Sequence, residues 1–313
     1  MNFDNRTITV ILPTYNRWGI LQKCLEALAL QSYPNNLWDL VVVDDGSSDG
    51  TVEKAPAFLT ELQLSARFLR QEHKGRSAAR NLGLRHAMGT DVLILADDII
   101  ATPDLIAEHV LCRKHYPGEA VVGFMTWWPQ LEITSFMKCL EKGVILSFDS
   151  VRDKAQLDYH HAYSSNISLP RKIAKKVLFD ETFTGYGFED IEWGYRLQKA
   201  GVVFRFNRQA LGYHNHPLTL SDYRTKMEEA GLALVRFNVI HSEIARPEVE
   251  RTTVFRLIRL FIKASWRAFL LKLFSRWIKM GEAPVIDPCR CYQSIINYSF
   301  HRGIQKGRRK FLL

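Results

Sequence analysis

The sequence predicts an α/β fold: a mostly parallel sheet flanked by helices, with a C-terminal extension that is helical throughout. Three observations carry this. Short β-branched runs alternate with longer helical patterns over the first hundred residues, the runs are near-continuously apolar, and sheet signals fade beyond about Ser221. Strands apolar on both faces belong to parallel sheets covered on both sides by helices. In such sheets ligands bind at the carboxyl ends of the strands.

Ile8–Leu12 reads as the first strand and Trp18–Leu30 as the helix that follows. Trp38–Val43 is the second strand, and it ends in the turn-rich run Asp44 to Gly50. Thr51–Leu62 reads as helix, Ala66–Leu69 as strand, Ser77–Met88 as helix and Asp91–Leu95 as the fourth strand, with Asp97-Asp98 directly after it. Pro103 opens a further helix at a favourable first-turn position. Beyond it the pattern is less regular. Strands are expected at Ala120–Phe124, Asn166–Leu169 and Val202–Phe206, a turn at Trp127-Trp128-Pro129, and a helix from Asp190 to Ala200. Three polar clusters then fall at strand carboxyl ends: Pro13 to Asn16, Asp44 to Asp49, and Asp97-Asp98.

The chain has 313 residues, enough for one large domain plus an appendage. Its 47% hydrophobic and 24% charged residues exclude a disordered chain. The formal charge of +9 is unevenly placed: residues 1–221 hold 24 Lys/Arg against 25 Asp/Glu, whereas 222–313 hold 18 against 8. We therefore expect a domain at 1–221 and a basic helical extension at 222–313, where any anionic partner would sit. The run from Met1 into Ile8–Leu12 is no secretory signal, so a cytoplasmic protein, peripheral at the inner face of the membrane, is expected. The five scattered cysteines at 24, 112, 139, 289 and 291 are expected to be reduced. No uncharged apolar stretch of about 18 residues is present.

Several clusters admit a chemical and a plain reading. Asp97-Asp98 is either a site for Mg²⁺ or Mn²⁺ or a solvated turn capping the next helix. Asp44 to Gly50 is either a capping loop or a strand-end carboxylate that accepts base N–H or ribose groups. Lys74 to Asn81 opens a helix with Gly75, Arg76 and Arg80, either as a phosphate cradle or as a basic first turn. Gly185 to Glu192 joins glycines, aromatics and three acids; its acids serve either the helix dipole or a general base. His214 and His216 flank Asn215 in a loop, as structural or functional imidazoles.

Their order resembles one family. Pro-Thr-Tyr-Asn-Arg after the first strand, Val-Asp-Asp-Gly-Ser-Ser-Asp-Gly after the second, Ala-Ala-Arg-Asn on the third helix, Ala-Asp-Asp after the fourth strand and Gly-Tyr-Gly-Phe-Glu-Asp-Ile-Glu-Trp resemble family 2 glycosyltransferases of the GT-A fold, over about residues 7–220. The resemblance implies an inverting transfer of sugar from a nucleotide diphosphate, a UDP-sugar favoured, to a hydroxyl of a glycan or lipid-linked acceptor. It implies that Pro13 and Tyr15 line the nucleotide pocket and that Asp45 receives a base N–H. It puts Arg80 near base and phosphates, Asp97 near the ribose, and Asp98 on the metal. Asp190 is then the catalytic base, Glu189 orients the acceptor, and His214, or His216 in its stead, adds a metal or diphosphate contact. The family's Asp-x-Asp reads Ala96-Asp97-Asp98 here, which leaves one carboxylate fewer.

Arg251 to Lys279 holds eight basic residues and no acid among Phe, Leu, Ile and Trp. Arg256, Arg259, Lys263 and Arg267 share one helical stripe, whereas Lys272, Arg276 and Lys279 fall on the other side, so a break near Leu270 is expected. Contact with an anionic membrane surface and packing on the catalytic domain are the two readings. No nucleic acid is expected, since no binding motif accompanies the charge. A sugar-nucleotide pyrophosphorylase would need a glycine-rich basic loop where Pro13–Arg17 stands, and a degenerate binding protein would lack Asp98 or Asp190. Trp127, Trp128, Tyr186 and Phe188 are either an acceptor surface or core.

Overall fold

The computed structural model describes residues 7–141, 148, 151–245, 254–278 and 287–312. It forms two compact units: Met1–Leu131 with Leu146–Thr184 and Glu189–His216, and Glu132–Ile145 with Gly185–Phe188 and Pro217–Leu313. The division is thus interleaved rather than a single cut after residue 221.

The first unit begins with β1 (Ile8–Thr14), α1 (Trp18–Ala29), β2 (Trp38–Asp44), α2 (Thr51–Glu61), β3 (Ala66–Arg70), α3 (Arg76–His86) and β4 (Asp91–Leu95). Every residue of β2 is buried, Asp39 and Asp44 included, as its Leu40–Val43 apolar run requires. These strands pair in parallel, β3-β2-β1-β4. A Cβ on Gly83 of α3 would lie 2.3 Å from the Ile11 side chain, so this glycine lets the helix sit close on β1.

β5 (Ile99–Ala101), α4 (Leu105–His115), β6 (Ala120–Trp127), β7 (Gln156–Leu157), β8 (Asn166–Pro170) and β9 (Phe204–His214) complete the sheet. Its order is β3-β2-β1-β4-β8-β6-β9-β5, with β7 on β9. β6 and β9 run parallel, whereas β8, β5 and β7 pair antiparallel. Short α5 (Ser135–Glu141) and α6 (Arg171–Lys176), then α7 (Glu189–Lys199), lie among these elements in the chain.

Several expectations change here. Pro103 does not open α4; the helix starts at Leu105 with Asp104 as its N-cap. β6 continues through Trp127, where a turn is expected, and β9 continues to His214, so His214 ends a strand rather than lying in a loop. The ladder between them shifts register at Gly123/Phe124, and this bulge carries β9 past its polar Asn207–Gln209 segment.

The second unit holds α5 with α8 (Leu220–Ile240), α9 (Val254–Ile278) and α10 (Pro288–Phe311). α8 and α10 meet backbone to backbone: a Cβ on Gly303 would lie 1.9 Å from the Glu228 carbonyl oxygen. Phe136 of α5 packs on Tyr292 of α10, which brings Cys139 and Cys289 to a Cα–Cα distance of 5.3 Å, and the two form a disulfide. The expectation of five reduced cysteines holds only for Cys24, Cys112 and Cys291. α9 is one helix with no break near Leu270. No helix among the described residues is long and apolar enough to cross a membrane.

Candidate functional site

Asp97 and Asp98 follow β4 and are both buried. A solvated turn is therefore excluded. The cation beside them is one that sequence patterning does not reveal: Arg17, the residue before α1, reaches Asp97 at 3.2 Å and Asp98 at 3.0 Å through one nitrogen. The Thr14 hydroxyl donates to Asp97 at 2.7 Å. Strand pairing supplies the remaining neighbour. Ile99 of β5 lies opposite His214 of β9, so His214 Nε2 stands 3.6 Å from Asp98, an ion pair when the imidazole is protonated. Burial and then the Asp98 charge push Asp97 up to about 6, against Arg17 and Thr14. Burial also acts upward on Asp98, but His214, Arg17 and His216 outweigh it and hold that carboxyl below its usual range.

The first two loops are bolted together nearby. Asn16, at φ +51°, donates its N–H to the Ser47 hydroxyl and accepts from the Ser48 N–H through its side chain. Asp49 accepts the first N–H of α1 from Trp18 and that of α2 from Thr51. Pro13 lies at the carboxyl end of β1, opposite Val43. Asp45 accepts from Gln71 at 2.6 Å and from the Lys74 and Gly75 N–H groups at 2.9 Å, with His73 also at 2.9 Å. Three donors and the His73 ring thus occupy the carboxylate, so Asp45 shapes the 71–75 loop. Two amides that a phosphate cradle at Lys74–Asn81 would use are thereby spent. Tyr15 stacks on His73, ring centroids 4.1 Å apart.

A second acidic pair opens α7. Glu189 is buried, and Asp190 accepts the Ser164 hydroxyl at 2.6 Å and the Ser164 N–H at 3.1 Å. Arg80 of α3 lies 3.6 Å from both acids, its guanidinium 5.2 Å from the Phe179 ring centre. Its Nε and Nη1 are buried without a hydrogen-bond partner. Burial and then Asp190 raise Glu189, with Arg80 and Arg76 opposing. The structure thus sets Arg80 against Glu189 and Asp190. Ser164, Thr14 and Arg17 are the polar contacts sequence reading misses; each is one residue of an ordinary type, found only through its partner.

Among the four aromatics, Trp127 and Phe188 are buried. Trp127 packs edge-on against His214, and Phe188 packs on Phe237 within the second unit. Neither forms an open acceptor surface. Trp128 and Tyr186 are partly exposed.

Among the described residues no group of three or more His, Cys, Asp and Glu is arranged to hold a metal by itself. Asp98 with His214, and Asp97 beside them, is a donor set of the two-carboxylate kind, which a hard divalent cation uses when phosphate oxygens complete its shell. The raised Asp97 and the arginine shared by two buried acids are what a site built for extra positive charge presents. The residues fit Mg²⁺ or Mn²⁺.

A parallel-to-mixed sheet with acids at its carboxyl edge defines the class, and comparison with known proteins gives the family. The model of glycosyl transferase family 2 matches residues 9–178, more than half of the chain, and the protein belongs to that family. The chain is 28% identical over 260 residues to an uncharacterized glycosyltransferase, YfnE, of Bacillus subtilis, covering 67% of this chain and 65% of the relative. It is 29% identical over 240 residues to validoxylamine A glucosyltransferase of Streptomyces hygroscopicus subsp. jinggangensis, covering 66% and 54%. The chain therefore spans less than two-thirds of these curated relatives. Among solved structures, the mannosyltransferase PcManGT of Pyrobaculum calidifontis with GDP-Man and Mn²⁺ matches with a TM-score of 0.65 at 18% identity, over 99% of this chain and 89% of that one. S. aureus TarS 1–349 with UDP matches at 0.56 and 14%, over 97% and 92%. These likenesses establish the GT-A type fold.

Proposed function

We propose that the protein is a metal-assisted, inverting glycosyltransferase that moves a sugar from a nucleotide diphosphate, a UDP-sugar favoured, to a hydroxyl of a glycan or lipid-linked acceptor. The observation that carries this reading is the buried Asp97-Asp98 pair, held by the single cation Arg17 and flanked by His214. Asp98 and His214 would hold Mg²⁺ or Mn²⁺, which supplies Lewis-acid neutralisation of charge on the leaving diphosphate. Pro13 and Tyr15 serve the base end of the donor, Asp45 supports it through the 71–75 loop it shapes, and Asp97 serves the ribose end. Tyr15 stacked on His73 offers a flat, partly exposed aromatic face for a base.

In the transfer step Asp190 takes the proton of the acceptor hydroxyl as its oxygen bonds to the anomeric carbon and the bond to diphosphate breaks. Attack opposite the leaving group inverts the configuration. Ser164 fixes the Asp190 carboxylate through two hydrogen bonds, and Glu189 orients the acceptor. Arg80, 3.6 Å from both acids, opposes the rise that burial and Asp190 impose on Glu189. Support from known proteins is the family match and the nucleotide-bound structures of the same fold.

A panel of UDP-, GDP- and TDP-sugars, assayed for hydrolysis and transfer with Mn²⁺, Mg²⁺ or EDTA, tests the reading. Turnover of one UDP-sugar, abolished by EDTA, is expected. Full activity in EDTA would remove the metal from the account.

A further inference from the structure

Helix α9 has one packed face and one bare face. On the packed side Ala264 is buried, and Arg267 donates to the Arg290 carbonyl and the Ser294 hydroxyl of α10. On the other side Ile258, Phe261, Ile262, Trp266 and Phe269 are 51–63% exposed. At 100° per residue these five span an arc of about 140°. Exposed Arg259 and Lys263 border the arc on one side, and exposed Lys272 ends it, within its angular range but nearly a turn beyond Phe269. Single exposed apolar side chains are ordinary, but five large ones on one stripe mark a surface that is covered in use.

We infer that α9 lies in the plane of an anionic lipid surface, its Ile258–Phe269 stripe sunk to the acyl boundary and its Arg259–Lys263 border at the headgroups, with the long Lys272 side chain reaching up to them from the stripe's end. Charge selects this occupant. Residues 251–279 contain eight Lys/Arg and no Asp or Glu, and residues 222–313 carry an excess of 10 positive charges, 18 against 8. A second copy of the chain would bring two such basic borders together, which like-charge repulsion opposes. An anionic bilayer takes both the apolar stripe and its rim. No helix among the described residues can cross the bilayer, so α9 lies along it. This inference stands on α9 alone and does not depend on the transferase reading.

Co-sedimentation of the full chain with vesicles tests it, using phosphatidylcholine alone or mixed with phosphatidylglycerol. Binding is expected only with the anionic vesicles, weakening as salt rises. Trp266→Ser/Phe269→Ser and Arg259→Gln/Lys263→Gln are each expected to lower partitioning by on the order of tenfold or more. Both pairs are exposed, so unchanged melting temperatures serve as the folding control. Trp266→Phe should still bind but lose fluorescence quenching by brominated lipid. Absence of binding, equal binding to neutral vesicles, or wild-type binding by the Ser pair would overturn the inference. A concentration-dependent dimer lost in the Ser pair would do so too, by making the face a protein interface.

Discussion

Asp97-Asp98 and Glu189-Asp190 are both adjacent carboxylate pairs, and each has one arginine and one hydroxyl of its own. The resemblance ends there. Arg17 hydrogen-bonds both members of the first pair, whereas Arg80 stands 3.6 Å from both members of the second, with two nitrogens buried and unbonded. Thr14 touches one oxygen of Asp97, whereas Ser164 grips both oxygens of Asp190. The first pair also has an imidazole beside it, and its two acids are driven apart: Asp97 is pushed up to about 6 and Asp98 is held low. A pair so split suits an added cation, while a carboxylate held at both oxygens suits directed proton abstraction.

Substitutions that remove one partner at a time sharpen this contrast. Asp98→Asn is expected to have the largest effect, a loss on the order of 10²-fold or more in kcat/KM, with the activation by Mn²⁺ flattened in a metal titration. Arg17→Leu leaves two buried acids facing each other, and a loss of about 2 kcal/mol is expected in urea unfolding, discounted because the Arg17 side chain is 26% exposed. Mn²⁺ should restore more stability to this variant than to the wild type, and an equal gain in both would separate Arg17 from the cation site. Arg80→Met should lower kcat/KM more at acidic than at alkaline pH, through a shifted titration of Glu189. The sign follows from Glu189, which burial and Asp190 already raise while Arg80 opposes. Without Arg80, Glu189 takes up its proton at higher pH, so the acidic limb of the pH–rate profile moves upward. An unmoved limb would leave Arg80 with packing on Phe179 alone.

Much of the parallel half was legible because strands buried on both faces are apolar along most of their length, and β1, β2 and β4 each hold such a run, broken only by Thr9, Asp39 and other polar residues near their ends. Where the sheet turns antiparallel the signal fails. β5 is three residues long, and β9 carries Arg205, Asn207, Arg208 and Gln209 through a bulge, which reads as a loop. The acidic pairs were legible as ordered motifs, yet their counter-charges were not. Arg17 meets Asp97 across 80 residues, and Asp98 meets His214 only because β5 and β9 pair. The disulfide spans 150 residues, with no spacing rule to announce it. In α9 the basic residues beyond Leu270 suggested a break, whereas Val254–Ile278 is one helix on which Lys272 is exposed; Lys279 lies outside the described residues.

The claim that one acid pair binds the donor and the other deprotonates the acceptor is tested most directly by comparing Asp98→Asn with Asp190→Asn. Nucleotide affinity with Mn²⁺ would be measured by calorimetry, and transfer by single-turnover kinetics. The account predicts that Asp98→Asn loses metal-dependent nucleotide binding. Asp190→Asn should bind nucleotide as the wild type does and lose transfer by about 10²-fold or more. Transfer by Asp190→Asn at near wild-type rate, or an equal loss of nucleotide affinity in both variants, would contradict it.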